Sequence, residues 1–267
     1  GKVNIDGSVN ANRDVLINSN TGEVVIGLQN SEETDVTAGR NLTIQTSNDT
    51  TDSNITLNSN ITSGGATTLS THKGNIIEAG DIKAGNGDVT MQSTVSGAVY
   101  NLGDVTSTGA GVNMTAKDGG ILQYGNVTAA TDASLKASST IGILGNVKSG
   151  TTTDITSGAD IDVVGNITSG DTATLTSTTG TDITGSINSE GAVKVINTTT
   201  GTIDVTGNVT GKNDVSISNE NATLTKGQTG INNTGAITSE NGSASVTAAS
   251  GDIALLETTG KGTVTAA

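Results

Sequence analysis

A short motif recurs at a fixed interval in the middle of the chain. Gly-Asn followed by Val or Ile begins at Gly125, Gly145, Gly165 and Gly207, and Gly185-Ser186-Ile187 fills the gap. The steps between these starts are 20, 20, 20 and 22 residues. A nearly constant period of this length is typical of a solenoid, in which each repeat forms one turn that packs on the next.

Within each period, apolar and polar residues alternate in three short stretches. Between Gly165 and Thr184 the apolar positions include Ile167, Leu175 and Ile183. Alternation with a period of two predicts strands, and the Ser, Thr, Gly, Asn and Asp residues between the stretches predict turns. The sequence therefore predicts an all-β protein, a parallel β-helix with three strands per turn. The usual crossover preference makes it right-handed.

The same pattern extends over residues 1–267 as a single β-helix segment of about eleven turns, each of 20–28 residues. We place turn starts near Gly7, Thr34, Ser59, Gly80, Gly103, Gly125, Gly145, Gly165, Gly185, Gly207 and Gly235. Neither end shows a capping helix, and bare strand edges tend to pair with other strands. We therefore expect a slice of a longer rod or, as the second alternative, protomers that stack end to end.

Composition limits the class of protein. The chain lacks Pro, Cys, Trp and Phe, and Val, Ile and Leu make up just over a fifth of its 267 residues. That share is close to the disordered range, but a disordered chain has no reason to keep its aliphatic residues in register. A net charge of −14 disfavours nucleic-acid binding and anionic membrane surfaces. No apolar run is long enough for membrane insertion, and without Cys there are no disulfides or thiolate metal sites.

Three polar segments interrupt the pattern and are interpreted as insertions: Leu28–Glu33, Asn48–Ser53 and, as the largest, Asn219–Asn233. Solenoids often carry their binding specificity in loops that protrude from one corner. A host or cell-surface receptor could therefore bind there. The alternative is a tolerated insertion that has no role.

The asparagines that follow the recurring glycines are predicted to stack at one corner, where their side chains can hydrogen-bond along the helix axis. These residues are Asn126, Asn146, Asn166 and Asn208. We interpret them as a structural corner ladder rather than a ligand site.

Catalytic motifs are poorly supported. His72, the single histidine, lies in a predicted exposed turn, and the sequence has no nucleophile elbow, phosphate loop or zinc-protease motif. Glycan-cleaving β-helix enzymes use clustered carboxylates, and sugar-binding faces usually add aromatic residues and arginines. This chain has two Tyr and two Arg, Arg13 and Arg40. We therefore predict no enzymatic activity.

One acidic pattern is specific enough to predict a site. Asp162, Asp182 and Asp204 each adjoin residues predicted to face inward, so their own side chains should face outward at equivalent places on successive turns. Like charges this close repel, and a divalent cation would relieve the repulsion. We predict a weak Ca²⁺ site along this ladder, with a solvated acidic stripe as the alternative. No other cofactor is expected.

The stretch from Thr34 to Ile44, TDVTAGRNLTI, resembles the repeats of filamentous haemagglutinin-like adhesins, and Gly80 to Met91, GDIKAGNGDVTM, has the same pattern. Autotransporter passenger domains share this degenerate motif. The resemblance covers nearly the whole chain. It implies a right-handed parallel β-helix shaft of a bacterial surface protein, and export by two-partner secretion through an outer-membrane partner.

Together these observations favour a structural role. The predicted function is the shaft of a secreted or cell-surface bacterial adhesin or fibre, located outside the cell, that holds a binding region away from the surface. The alternatives are a self-assembling extracellular fibre subunit and, less favoured, a polysaccharide-degrading β-helix enzyme.

Overall fold

The computed structural model describes residues 1–27, 34–47 and 53–266, and those residues contain strands and turns but no helix. The chain divides into two compact units, unit 1 (Gly1–Ser138) and unit 2 (Ser139–Ala267). Each unit is a stack of parallel strands, and the β-solenoid has about twelve turns, consistent with a right-handed parallel β-helix.

In unit 1 the described residues form 18 strands, in chain order β1 (Val3–Ile5), β2 (Val9–Ala11), β3 (Val15–Ser19), β4 (Val24–Ile26), β5 (Thr34–Ala38), β6 (Leu42–Thr46), β7 (Ile55–Leu57), β8 (Ser59–Ser63), β9 (Thr67–Lys73), β10 (Ile76–Glu78), β11 (Ile82–Ala84), β12 (Val89–Ser96), β13 (Val99–Asn101), β14 (Val105–Ser107), β15 (Val112–Ala116), β16 (Ile121–Gln123), β17 (Val127–Ala129) and β18 (Ala133–Ala137). Every third strand pairs in parallel, which gives three sheets. Sheet A begins with β1 and β4, sheet B with β2 and β5, and sheet C with β3 and β6.

In unit 2 the described residues form 14 further strands, β19 (Ile141–Ile143), β20 (Val147–Ser149), β21 (Thr153–Ser157), β22 (Asp160–Val164), β23 (Ile167–Ser169), β24 (Ala173–Ser177), β25 (Gly180–Thr184), β26 (Ile187–Ser189), β27 (Val193–Asn197), β28 (Ile203–Val205), β29 (Val209–Gly211), β30 (Val215–Asn219), β31 (Thr229–Ala248) and β32 (Asp252–Ala266). Its sheets A, B and C begin with β19, β20 and β21. β31 pairs in turn with β28, β29 and β30, and β32 pairs along β31.

The hydrophobic core is the column of inward side chains between the three sheets. Ile167 lies between Val147 and Ile187 in register and is fully buried. The residues between inward positions face outward, as alternation requires. This register confirms the predicted all-β parallel fold. The predicted count of eleven turns is one short, because β32 forms a turn beyond the start near Gly235.

Buried hydroxyl groups at the corners explain how so few aliphatic residues suffice. The Ser149 hydroxyl is 2.8 Å from that of Thr153, and the Ser169 hydroxyl donates to the carbonyl oxygen of Thr172 at 2.9 Å. A buried polar group is tolerated when it is hydrogen-bonded. The core is therefore apolar along the strands and polar at the corners.

Glycine at the turn starts is required by close stacking. A Cβ on Gly165 would lie 2.3 Å from the carbonyl oxygen of Gly145, and a Cβ on Gly185 would lie 2.0 Å from that of Gly165. Both residues also have positive φ angles, 151° and 147°, which favours glycine.

The predicted insertions have different outcomes. Leu28–Glu33 and most of Asn48–Ser53 lie outside the described residues, and Ser53 itself is buried. The prediction for Asn219–Asn233 is wrong at its ends, because Asn219 closes β30 and Asn233 lies within β31, and both are buried. The irregular segment is residues 220–228.

Candidate functional site

The three predicted aspartates lie on sheet A of unit 2, on strands β22, β25 and β28. Asp162 pairs in register with Asp182, and Asp182 pairs with Asp204. Asp162 and Asp182 are exposed, whereas Asp204 is half-buried. Adjacent strands in a sheet are about 4.8 Å apart, so three carboxylates follow one another along the outer surface. We call this set the acidic ladder.

The acidic ladder borders a shallow groove of about 200 Å³ that also includes Asp160. Its other lining residues are the threonines and glycines at 179–181, 201 and 202. The Thr179 hydroxyl donates to Asp160 Oδ1 at 2.6 Å, and the Thr202 hydroxyl donates to Asp204 Oδ2 at 2.8 Å. The groove therefore has four carboxylates, hydroxyl groups and backbone, and no lining histidine, arginine or aromatic ring.

Electrostatic repulsion shows at Asp162, whose carboxylate has Asp160 and Asp182 as neighbours of the same charge. Partial burial raises the pKa of Asp162 above its ordinary value, and the negative charges of Asp160 and Asp182 raise that pKa further. Each of these effects penalises the ionised form. The groove thus attracts protons or cations.

Metal binding needs several ligands around one point. In the part of the chain that the structure describes, no group of three or more His, Asp or Glu side chains is arranged to hold one metal ion. The ladder carboxylates follow one another in a line rather than surrounding a centre. The Ca²⁺ site therefore stays a prediction, which calorimetry can test.

The corner between sheets A and B carries a column of hydrogen-bond acceptors. In unit 2, Asn146 Oδ1 accepts from the backbone N–H of Asn166 at 2.9 Å, and Asn166 Oδ1 accepts from that of Ser186 at 2.9 Å. Ser186 Oγ accepts from Asn208 N–H at 3.2 Å, and Asn208 Oδ1 accepts from Ala236 N–H at 2.9 Å. Each side chain thus joins its own turn to the backbone of the next.

In unit 1 the same corner uses aspartates. Asn60 Oδ1 accepts from Asp81 N–H at 3.1 Å, Asp81 Oδ1 from Asp104 N–H at 2.8 Å, and Asp104 Oδ1 from Asn126 N–H at 2.7 Å. The sequence reading named asparagines alone and missed Asn60, Asp81, Asp104 and Ser186. All but Asn60 directly follow a recurring glycine, which is the signal that could have found them.

The irregular segment 220–228 is anchored at one end and exposed at the other. Asn221 is buried, and its Nδ2 donates to the carbonyl oxygen of Gly201 at 3.0 Å. Residues 225–228 are exposed and form a turn in which Gln228 N–H donates to the carbonyl oxygen of Thr225 at 2.9 Å. This turn is the part of the predicted insertion that a partner could reach.

The prediction that His72 lies in an exposed turn is wrong. His72 is in β9, which continues beside β12 as far as the pairing of Lys73 with Ser96, and its side chain is half-buried. His72 Nδ1 lies 3.4 Å from the hydroxyl of Thr94.

An exposed apolar patch on sheet A of unit 1 was missed by sequence reasoning. Tyr100 pairs in register with Ile77 and Leu122, and all three face outward. Tyr100, Leu102 and Tyr124 are 40%, 49% and 46% exposed. Both tyrosines of the chain therefore lie on this patch, and the signal was their position next to inward residues.

Comparison with known proteins adds no relative. No protein-family model, curated protein or solved structure matches the chain. Within the described residues there is no helix that is both long and apolar enough to cross a membrane.

Proposed function

We propose that this chain is a structural shaft segment of a secreted or cell-surface bacterial adhesin or fibre, and that it holds a binding region away from the cell. The observation that carries this proposal is the parallel register that successive turns keep in each unit, apart from shifts in the pairing of β9 with β12 and of β31 with β32. In unit 2, for example, Val147, Ile167, Ile187 and Val209 follow one another on successive turns.

The physical argument is mechanical. Each strand is joined to the next turn by backbone hydrogen bonds, and each inward aliphatic side chain packs between two equivalent ones. Bending such a stack would break many of these contacts at once, because close-packed interiors are stiff. Side chains at the sheet A–B corner add a further bond between successive turns, as between Asn166 and Ser186.

Partners follow from the same proposal. The terminal turns would pack against further turns of the same long chain. A receptor would bind to exposed loops such as residues 225–228. Export through an outer-membrane partner rests on the resemblance of Thr34 to Ile44 to adhesin repeats.

The deciding experiment removes one complete turn. Deletion of residues 165–184 joins Val164 to Gly185, so the turn that starts at Gly185 takes the place of the one that starts at Gly165 and the register on either side is preserved. For the whole parent protein we expect normal export, normal surface display and retained adhesion. Cell-surface immunolabelling and an adhesion assay measure these outcomes.

The matched control deletes residues 165–174, half a turn, which moves inward side chains to the wrong sheet and should abolish folding. A folded full-turn deletion that lost adhesion would contradict the shaft, because the removed turn would then carry a binding site. Fibres of the purified chain in electron micrographs would favour the self-assembling subunit, and release of reducing ends from a glycan would favour the enzyme.

A further inference from the structure

Three polar residues are stacked inside the core of unit 1. Glu78, Asn101 and Gln123 occupy the last inward position of strands β10, β13 and β16, and they pair with one another in register. All three side chains are fully buried. On the preceding turn the same position is occupied by Leu57.

The nitrogen atoms of this stack are all engaged at the adjoining corner. Asn101 Nδ2 donates to the carbonyl oxygen of Gly103 at 2.5 Å, and Gln123 Nε2 donates to those of Gly103 and Gly125, each at 2.9 Å. These bonds fix which end of each amide is oxygen. Glu78 Oε1 accepts from the backbone N–H of Gly80 at 2.8 Å.

Each of the three side chains is left with one buried oxygen that has no hydrogen-bond partner: Glu78 Oε2, Asn101 Oδ1 and Gln123 Oε1. Native proteins rarely leave buried acceptors unpaired. An ionised Glu78 would add a buried charge next to a neighbouring amide oxygen, two acceptors with no donor between them. A proton on Glu78 Oε2 turns one acceptor into a donor and satisfies two of the three atoms.

We propose that Glu78 is held as a neutral carboxylic acid and donates its Oε2–H to Asn101 Oδ1. Unit 1 then contains a proton-dependent link between two successive turns. The hydrogen bonds run from Gly80 N–H through Glu78 and Asn101 to the carbonyl oxygen of Gly103, which Gln123 also contacts.

The charged surroundings agree with this assignment. Burial raises the pKa of Glu78 well above its ordinary value of 4.5, the Gly80 and Ala79 N–H groups oppose that shift, and the negative charge of Asp81 adds to it. Among the strands that contact β10, β7 and β12 carry no ionisable residue, and β13 carries Tyr100, which faces outward. β9 carries His72 and Lys73 at the end that leads into the start of β10, whereas Glu78 is at the other end of β10.

The sign of the pH effect follows from linkage. Because the folded state holds the proton on Glu78 more tightly than the unfolded state, the contribution of Glu78 to stability is greatest below pH 4.5. That contribution then decreases up to the raised folded pKa and is level beyond it. Between pH 4.5 and the raised folded pKa, the equilibrium constant for local opening of these turns, which hydrogen exchange measures, rises about tenfold per pH unit. Unit 2 has the aliphatic residues Val163, Ile183 and Val205 in its equivalent inward column, so no buried carboxyl group titrates in that column.

The test uses the full chain and the isosteric variant Glu78→Gln, which keeps a donor for Asn101 and an acceptor for Gly80 but cannot titrate. Infrared spectra are recorded at about pH 5.5, where an ordinary glutamate is about nine-tenths ionised. We expect the difference between the two proteins to contain the carbonyl band of a protonated acid. Hydrogen exchange of residues 76–80 and 99–103 is followed over pH. The internal reference is β23 and β26 of unit 2, which carry no ionisable residue.

We expect the opening constant near Glu78, corrected with that reference, to rise with pH in the natural chain and to stay level in Glu78→Gln. A carboxylate band in place of the acid band would overturn the proposal, and so would spectra that change when Na⁺ or Ca²⁺ is added. An ordinary glutamate titration would also overturn it, since the side chain would then face solvent, as after a one-residue slip of β10. If Glu78→Gln fails to fold, infrared titration of the natural chain still decides.

Discussion

Sheet A has opposite chemistry in the two units. In unit 1 its outward column includes Ile77, Tyr100 and Leu122 and its inward column includes Glu78, Asn101 and Gln123. In unit 2 the outward column is the acidic ladder, and the inward column includes Val163, Ile183 and Val205. Both arrangements form parallel strands at the same place in each turn, although β22 and β25 have five residues where β10, β13 and β16 have three.

The difference between the inward columns of the two units shows which positions of sheet A can hold a polar side chain. A polar residue is accepted at the last inward position of sheet A because a corner carbonyl lies two residues further on, as Gly103 does for Asn101. Asn233 repeats this in unit 2, where its Nδ2 donates to the carbonyl oxygen of Gly235 at 2.5 Å. The inward position two residues earlier is apolar and fully buried at Val99 and Ile161, and where it is polar, at Thr181, the hydroxyl is 2.9 Å from that of Ser177.

The largest effect is expected when the chemistry of unit 1 is placed in unit 2. Val163→Glu puts a carboxyl group between Ile143 and Ile183, with no amide beside it. An unpaired buried charge should cost about 4 kcal/mol of unfolding free energy, measured by urea denaturation at neutral pH. The control is Val164→Glu, at the neighbouring residue, which is 55% exposed and should change stability by less than about 0.5 kcal/mol. A large loss with Val164→Glu and none with Val163→Glu would show that β22 faces the other way.

Shortening a buried side chain on sheet B should lower the stability of the two units by similar amounts. Ile82→Ala in unit 1 and Ile187→Ala in unit 2 each remove a buried side chain that has an aliphatic neighbour on both sides. Each should lower the free energy of unfolding by about 2–5 kcal/mol. The outward neighbours supply the controls Lys83→Ala and Asn188→Ala, with changes within about 0.5 kcal/mol. If the loss of unfolding free energy were small in one unit alone, the two units would differ at sheet B as well as at sheet A.

The corner columns should also behave alike, although unit 1 uses Asp and unit 2 uses Asn. Asn166→Ala removes the acceptor for Ser186 N–H, and Asp104→Ala removes the acceptor for Asn126 N–H. Each should cost about 1 kcal/mol, read from chemical denaturation. Asn166→Asp keeps an acceptor and should recover most of the loss. A stability unchanged by Asn166→Ala would mean that these bonds contribute nothing net.

Neutralising Asp162 in the acidic groove should stabilise unit 2. Asp162→Asn removes repulsion from Asp160 and Asp182, so the melting temperature should rise at neutral pH, by an amount equivalent to about 0.5 kcal/mol. Because the pKa of Asp162 is raised in the folded state from 3.8, the natural chain loses stability as pH rises from that value through the folded pKa. The gain should therefore vanish below pH 3.8. Glu240→Gln is the control, and a gain that persists in acid would refute the electrostatic cause.

Calcium binding to the acidic ladder should have the smallest effect. With carboxylates in a line, we expect a dissociation constant of about 1 mM and a small rise in melting temperature. Titration calorimetry of the natural chain against Asp182→Asn measures it. No saturable heat, or the same heat in both proteins, would leave a solvated acidic stripe as the correct interpretation.

Much of the fold was predictable because it depends on period alone. The starts at Gly145, Gly165 and Gly185, the inward positions of Ile167 and Leu175, and the equivalence of Asp162, Asp182 and Asp204 all follow from counting along the sequence. The hydrogen-bonding pattern of the corners was predicted less completely. The sequence suggested contacts between asparagine side chains, whereas the main partner is the backbone N–H of the next turn.

The sequence by itself determined that the chain winds in turns of about twenty residues and that aliphatic residues recur inside them, because repetition and alternation are local properties. It did not determine which face of β10 is buried, since Ile76 and Ile77 are both apolar and either phase satisfies the alternation. The tertiary structure decided this by pairing β10 with β7 and β13, which turns Ile76 and Glu78 inward and leaves Ile77 and Tyr100 outside. One strand cannot choose its face alone, because the choice depends on the side chains stacked on the turns before and after it.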